Sequence, residues 1–243
     1  MRPQTTTDPT DDAPASLLRA GIYTLPEAAR LTEVPAYSLR RWTLGYYFLR
    51  GGQRRWSPPL VGPQLHPING VPAVSFIDLQ ELRFLHAFRD HGVSWYYLRI
   101  AHDRAKTRIG HDHPFSTGRF RSAGREILIE AVASDVAGAP RDAALENIIS
   151  SQLVFRRIIA PYLRGLEFDQ DIAVRWFPGT DRRVVIDPAR SFGQPVVERE
   201  GVPTSVLARS FKAEQSLKRV ARWYDVDVRS VRAAVEFERR LAA

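Results

Sequence analysis

The sequence predicts a mainly α fold with small β hairpins, in which a helix-turn-helix unit stands near each end of the chain. Three observations predict it. Apolar residues recur every three or four positions over short segments, Ser, Thr or Asp stands where those segments begin, and the breaks between paired segments are only about three residues long. At 243 residues the chain is long enough for two small domains and a connecting segment. The expected layout is a disordered tail over 1–15, a winged helix-turn-helix over 16–112, and connecting hairpins and a helix over 113–183. A three-helix, helix-turn-helix-like domain then occupies 184–243.

In chain order, residues 1–14 have neither the apolar core of a signal peptide nor the amphipathic arginine pattern of a transit peptide, and their polar composition predicts a disordered tail. Thr24 can cap a helix running from Leu25 to about Leu31, with Pro26 tolerated in its first turn. Thr32-Glu33-Val34 supplies the turn, and Pro35 opens a second short helix that Gly45 ends after Leu44. Leu25, Ala28, Ala29, Val34, Leu39 and Trp42 are placed to pack the two helices together. A helix entering the major groove presents its early residues to base edges, with arginines to hold phosphates or read guanine. Tyr37, Ser38, Arg40 and Arg41 are therefore candidate DNA contacts.

The thirty residues after Gly45 carry little helical pattern and read as an extended wing, with Gly51-Gly52 as a hairpin turn. Arg50, Arg54 and Arg55 cluster beside that turn. They are candidate contacts to the DNA backbone or minor groove, against the alternative of a solvated basic loop. Asp78 to Phe88 is an amphipathic helix with Leu79, Leu82, Leu85 and Phe88 on one face, stopping at His91-Gly92. Ser94 then caps a helix from Trp95 to about Ile109. The order helix-turn-helix, wing, helix, glycine turn, helix resembles the MerR-like winged-helix family over about residues 21–110. Leu39-Arg40-Arg41-Trp42 with Gly45, Phe76-Ile77-Asp78-Leu79 and Gly92-Val93-Ser94 carry the likeness. Two departures stand out: the wing is longer and richer in proline, and Pro114 ends the helical pattern where that family has a long dimerisation coiled coil.

Phe115 to Val132 reads as a hairpin about Ser122-Ala123-Gly124. A helix is expected after it, since Leu145, Ile148, Ile149, Phe155, Ile158, Ile159 and Tyr162 recur at helical spacing. A second hairpin is expected from Ile172–Phe177 and Arg183–Ile186 flanking Pro178-Gly179-Thr180-Asp181. At the C-terminus a short hairpin feeds three helices. Ser216 caps the one ending at Tyr224, Asp225-Val226-Asp227 is the break, and the last helix turns Val228, Val231, Val235 and Phe237 inward.

Val185-Ile186-Asp187-Pro188, Phe192-Gly193-Gln194-Pro195-Val196-Val197, Gly201-Val202-Pro203-Thr204, Val220–Tyr224 and Val231–Val235 follow one another in the order of the domain of unknown function family 433, which this part resembles. The family's usual Gly-Thr-Arg motif is replaced by Arg199-Glu200-Gly201-Val202-Pro203, so no role tied to that motif carries over. With both ends together the chain resembles a VapB-type antitoxin. That resemblance implies operator binding at the N-terminus, repression of the shared operon, and neutralisation of a PIN-like ribonuclease toxin by contact. Arg232, Arg239 and Arg240 are the candidate toxin-binding residues, as cations able to pair with a nuclease's carboxylates.

Composition fits these expectations. The net charge of +8 suits a polyanion partner, and Ala15–Leu60 holds seven arginines against Glu27 and Glu33. Arginine outnumbers lysine 32 to 3, a bias that genome composition could equally impose. No cysteine is present, which excludes a disulfide framework or a thiolate metal site. No run of apolar residues is long enough for a membrane span, so no membrane contact is expected, and with no export signal read in residues 1–14 the cytoplasm is the expected location. His111-Asp112-His113 with His102, and Asp169 with Asp171, contain metal-ligand and catalytic residue types. Their positions at a junction and in a loop argue for ordinary solvated groups, so neither metal nor cofactor nor catalytic site is expected. Paired half-sites would call for a homodimer. The alternatives are a free-standing MerR-like transcription regulator whose middle segment binds a small ligand, and a nucleic-acid enzyme for which the sequence offers no site.

Overall fold

A computed structural model describes residues 19–135 and 160–242. It is mainly helical with small two-stranded sheets, and begins with β1 (Tyr23–Thr24), α1 (Leu25–Thr32) and α2 (Ala36–Leu44). The wing is the antiparallel pair β2 (Tyr46–Arg50) and β3 (Gln53–Ser57), closed at Gly51-Gly52 as expected. β4 (Ala73–Val74) returns to pair with β1, a two-residue ladder too short to leave a sequence pattern. The tail over 1–15 and most of the helix expected between Ala143 and Leu163 lie outside the described residues.

The helix α3 (Phe76–Asp90) is the centre of the molecule. Ser75 and Asp78 form its capping box. Leu79, Leu82, Leu85 and Phe88 are fully buried as their spacing predicts, but so are Asp78, Gln80 and Glu81, and Arg83 is nearly so. The helix is therefore enclosed on all sides rather than amphipathic. Its buried charges persist because partners meet them. Asp78 accepts from the backbone of Ser75 at 2.8 Å and of Gln64 at 3.1 Å, and its Oδ1 lies 2.7 Å from His113 Nε2. Glu81 accepts from Ser116 N at 2.9 Å and Phe115 N at 3.2 Å, with His102 Nε2 at 3.0 Å. The groups that meet Glu81 come from the 3₁₀ turn Pro114–Ser116 and from α4 (Trp95–Ile109). The histidine-rich junction thus serves the core. Among the described residues no three His, Asp or Glu side chains are grouped to hold a metal ion. Arg83 lies 3.6 Å above the Trp176 ring, and burial lowers its guanidinium from the usual range to about 9.

Two expected hairpins are corrected. Residues 115–132 are not a hairpin: after the 3₁₀ turn comes α5 (Gly118–Asp135), packed along α4. Thr117 Oγ1 accepts from Phe120 N at 3.1 Å and so caps it. Phe120, Gly124 and Ile127 form its buried stripe, so Gly124 is a packing position inside a helix and not a turn. Strand β6 (Ile172–Trp176) pairs mainly with β5 (Leu166–Asp169), which follows α6 (Ala160–Arg164), and not with 183–186. Gln170 and Asp171, at φ of 44° and 76°, make the tighter turn there. The Pro178–Asp181 loop leaves only the bridge Trp176 to Ile186. β7 (Val184–Val185) instead pairs with β8 (Val196–Val197).

The last three helices are α7 (Thr204–Glu214), α8 (Leu217–Tyr224) and α9 (Val228–Leu241). Ser216 caps α8 and Asp227 caps α9. Val231 and Phe237 are buried, while Val228 and Val235 are half-buried at the edge of the core. Leu207, Val220, Val226, Val231 and Ala234 close a small core with Val197. A larger one gathers the N-terminal helices together with Val184, Ile186 and Phe237, so the two ends share an interior. Tyr23 Oη donates to Gly193 O at 2.8 Å and Ile22 N to Phe192 O at 3.2 Å. Among the described residues no helix is long and apolar enough to cross a membrane.

Candidate nucleic-acid interface

The N-terminal unit is set by local chemistry. Thr24 and Glu27 form a capping box that starts α1. Glu33, left-handed at φ 60°, and buried Val34 turn the chain, and Pro35 in extended conformation begins α2. Leu39 is the fully buried knob of α2, and Thr43 bonds back to its carbonyl at 2.8 Å. Trp42 stacks on Trp95 at 5.5 Å, while its carbonyl accepts from Leu60 N at 2.8 Å and Val61 N at 3.1 Å. α2 is thereby clamped between α4 and the chain leaving the wing. Arg99 of α4 adds a bond to Pro58 O at 3.0 Å.

With the inward side fixed, Tyr37, Arg40 and Arg41 fall on one exposed stripe, and Tyr37 is 67% exposed. Ser38 lies to the side of it, half-buried. The stripe continues onto the wing, because the Arg41 guanidinium lies 3.7 Å above the Tyr46 ring. Cross-strand pairing of Phe48 with Arg55 and Arg50 with Gln53 puts Arg50 and Arg55 on the wing face that Tyr46 shares. Arg54 is on the other face, paired with Leu49 and stacked 4.0 Å from the Tyr47 ring. The structure therefore unites Tyr37, Arg40, Arg41, Arg50 and Arg55 and separates Arg54 from them. Tyr46 was not among the residues singled out from sequence. Its signal is an aromatic directly after the helix-ending glycine, where it can only stand beside the last turn of α2. Gly45 itself has φ 72°, and a Cβ there would sit 2.5 Å from Trp56 Cζ2. Helix and wing meet too closely for any side chain.

Arg232, Arg239 and Arg240 are exposed on α9, far along the chain from this face. Arg240 lies 5.8 Å from the Phe237 ring.

Residues 21–101 match the family described as "Putative DNA-binding HTH domain", and residues 184–237 that described as "Protein of unknown function (DUF433)". A curated protein of Mycobacterium tuberculosis (strain ATCC 25618 / H37Rv), "Putative antitoxin VapB45", is 29% identical over 228 residues, covering 88% of this chain and 92% of its own length. The crystal structure of Rv2018 from Mycobacterium tuberculosis aligns with a TM-score of 0.67 at 24% identity, over 88% of this chain and 96% of that one, and shares its fold. The chain is thus similar over residues 21–101 to the family described as "Putative DNA-binding HTH domain", over 184–237 to that described as "Protein of unknown function (DUF433)", and over most of its length to a protein named "Putative antitoxin VapB45".

Proposed function

We propose that this chain is the antitoxin of a toxin-antitoxin pair. It binds operator DNA as a MerR-like winged helix, represses its own operon as a homodimer, and neutralises a PIN-like ribonuclease in the cytoplasm. The observation that carries DNA binding is the continuous basic and aromatic face from Tyr37 through Arg41 and Tyr46 to Arg50 and Arg55. α2 supplies side chains for base edges, and the wing arginines hold phosphates. The relative's name supports the antitoxin reading. Toxin contact is assigned to the exposed arginines of α9, Arg232, Arg239 and Arg240, whose guanidinium groups would cover a carboxylate-lined nuclease site. The action is binding, with no chemical step and no cofactor.

Substituting Arg40 and Arg41 by Ala is expected to cost about 1–3 kcal/mol per base contact against operator and less against random duplex. Arg50 and Arg55 to Ala should weaken both duplexes alike and lower the salt slope by about two. Arg54 to Ala should do neither. Fluorescence anisotropy with labelled duplex of the chain's own upstream region checks all three. Equal losses from every pair on both duplexes would remove the division of labour. Co-expression with the adjacent gene's product tests neutralisation: co-purification and relief of growth arrest are expected. Promoter binding without either outcome would make the chain a free-standing regulator.

A further inference from the structure

The C-terminal helices α8 and α9 repeat the N-terminal α1 and α2 position by position. α1 and α8 are both 8 residues long. Thr24 caps the first and Ser216 the second, each hydroxyl accepting from the backbone three residues on at 3.4 Å. Both helices stop on a left-handed acidic residue, Glu33 at φ 60° and Asp225 at φ 51°. A buried valine follows in each, Val34 and Val226. Both second helices then open from an extended residue, Pro35 at φ −54° and ψ 134° and Asp227 at φ −62° and ψ 140°.

The interior positions coincide at one constant offset: Ala28 with Val220, Val34 with Val226, and Leu39 with Val231, all buried. Buried positions at equal spacing fix the angle at which the second helix crosses the first. The exposed positions must coincide too. Tyr37 corresponds to Arg229 and Arg40 to Arg232, and on the first helices Arg30 corresponds to Arg222. Arg222, Arg229 and Arg232 are exposed, and among the described residues no ion pair engages their side chains, whereas neighbouring Arg219 is held by Glu214 at 2.7 Å. Residues 216–243 carry seven basic and four acidic side chains. α7 takes the place of a third helix, packing on both α8 and α9, and where α2 gives way to a wing α9 continues to Leu241.

We propose that the C-terminal domain is a second, wingless helix-turn-helix that binds duplex DNA, with Arg229 and Arg232 at base edges and Arg222 with Lys218 on phosphates. The inference rests on the N-terminal unit binding DNA, since that is what the correspondence carries over. Arg232 then serves DNA as well as toxin, and Arg239 and Arg240 at the far end of α9 serve toxin alone. A protein with a reading helix at each end covers a longer stretch of duplex than one winged helix does.

The test uses the full chain and labelled duplex from its upstream region, with a random duplex of the same length as reference. Five proteins are compared: unaltered, R40A/R41A, R229A/R232A, the fourfold variant that joins these two pairs, and K218A/R222A. Because these residues are exposed, unchanged circular dichroism and thermal midpoint are expected, and R229K/R232K is the control that keeps the charge. R229A/R232A should weaken specific binding about tenfold and random-duplex binding less, and the lysine variant should not restore the specificity, whereas K218A/R222A should weaken both duplexes alike and lower the salt slope by about two. The fourfold variant should bind more weakly than either double variant, and the hydroxyl-radical footprint of R229A/R232A should be shorter than that of the unaltered chain. Unchanged affinity and footprint in R229A/R232A, with loss in R40A/R41A, would overturn the second site and leave the first intact. Loss of binding to the adjacent gene's product in R229A/R232A, with DNA binding unchanged, would also overturn it. No loss in R40A/R41A would overturn the N-terminal reading instead.

Discussion

His113 shows how far a single residue's role depends on what the fold brings to it. Burial alone would lower its pKa, but the bond to Asp78 and the charges of Glu81 and Asp78 outweigh that and hold it above the ordinary histidine value. A folded value above the unfolded one means that the stabilisation is complete below about pH 6.5 and is lost as pH rises through the folded value. Urea midpoints of the chain should therefore fall, relative to those of His113→Gln, between mildly acidic and mildly alkaline pH. Parallel curves for the two proteins would remove His113 as the cause. Asp78→Asn should cost about 2–4 kcal/mol at pH 7 in the same measurement, because two backbone N–H groups and an imidazole lose a charged acceptor. In the sequence His111 to His113 was readable as a polar junction, but the acceptors were not. Asp78 lies four and seven residues before Leu82 and Leu85, and Glu81 four and seven before Leu85 and Phe88, so both stand on the leucine side of α3, and no local pattern records that Gln64, Ser75 and the 3₁₀ turn bring donors to them there.

Elements were legible where their causes are local. The two helix-turn-helix units carry caps, three-residue turns and apolar spacing within about twenty residues, so both appear where expected. α5 failed because Ser122-Ala123-Gly124 has turn composition, while the reason it stays helical, packing along α4, is distant in sequence. The pairing of β6 with β5 failed for a similar reason: two strong turn signals compete, and the one closing at Gln170-Asp171 is tighter. The joint of α2 and wing gives a sharp prediction at this scale. Gly45→Ala places a methyl 2.5 Å from Trp56 Cζ2 and 2.7 Å from Ser57 O, on backbone at φ 72°. A cost of about 1–3 kcal/mol in thermal or urea unfolding is expected. Operator affinity should fall as well, because the wing must swing away from α2. A variant that binds operator normally would show that the joint tolerates a different wing angle.

Across the whole molecule the junction at Tyr23 couples the two ends. Ser191, Phe192 and Gly193 all have positive φ, an uncommon run that the Tyr23 hydroxyl secures through Gly193 O. Tyr23→Phe should lower stability by about 1 kcal/mol with the fold retained, read from denaturant midpoints. Gly193→Ala should be much more damaging, since its Cβ would fall 2.2 Å from the Tyr23 hydroxyl at φ 83°. An alanine variant as stable as the unaltered chain would show the junction to be loose. The sequence hinted at two separate bodies; it could not show that Phe237 shares an interior with Tyr23, Leu39 and α3, because nothing in a local pattern records which distant residue fills a gap. That shared interior has a consequence during synthesis. A ribosome delivers the chain from its N-terminus, and the first helices emerge long before the phenylalanine that completes their core. Until Phe237 has left the exit tunnel, the interior that the two ends share is incomplete. A message cut short before that codon should therefore yield fragments that are cleaved by protease faster than the full chain.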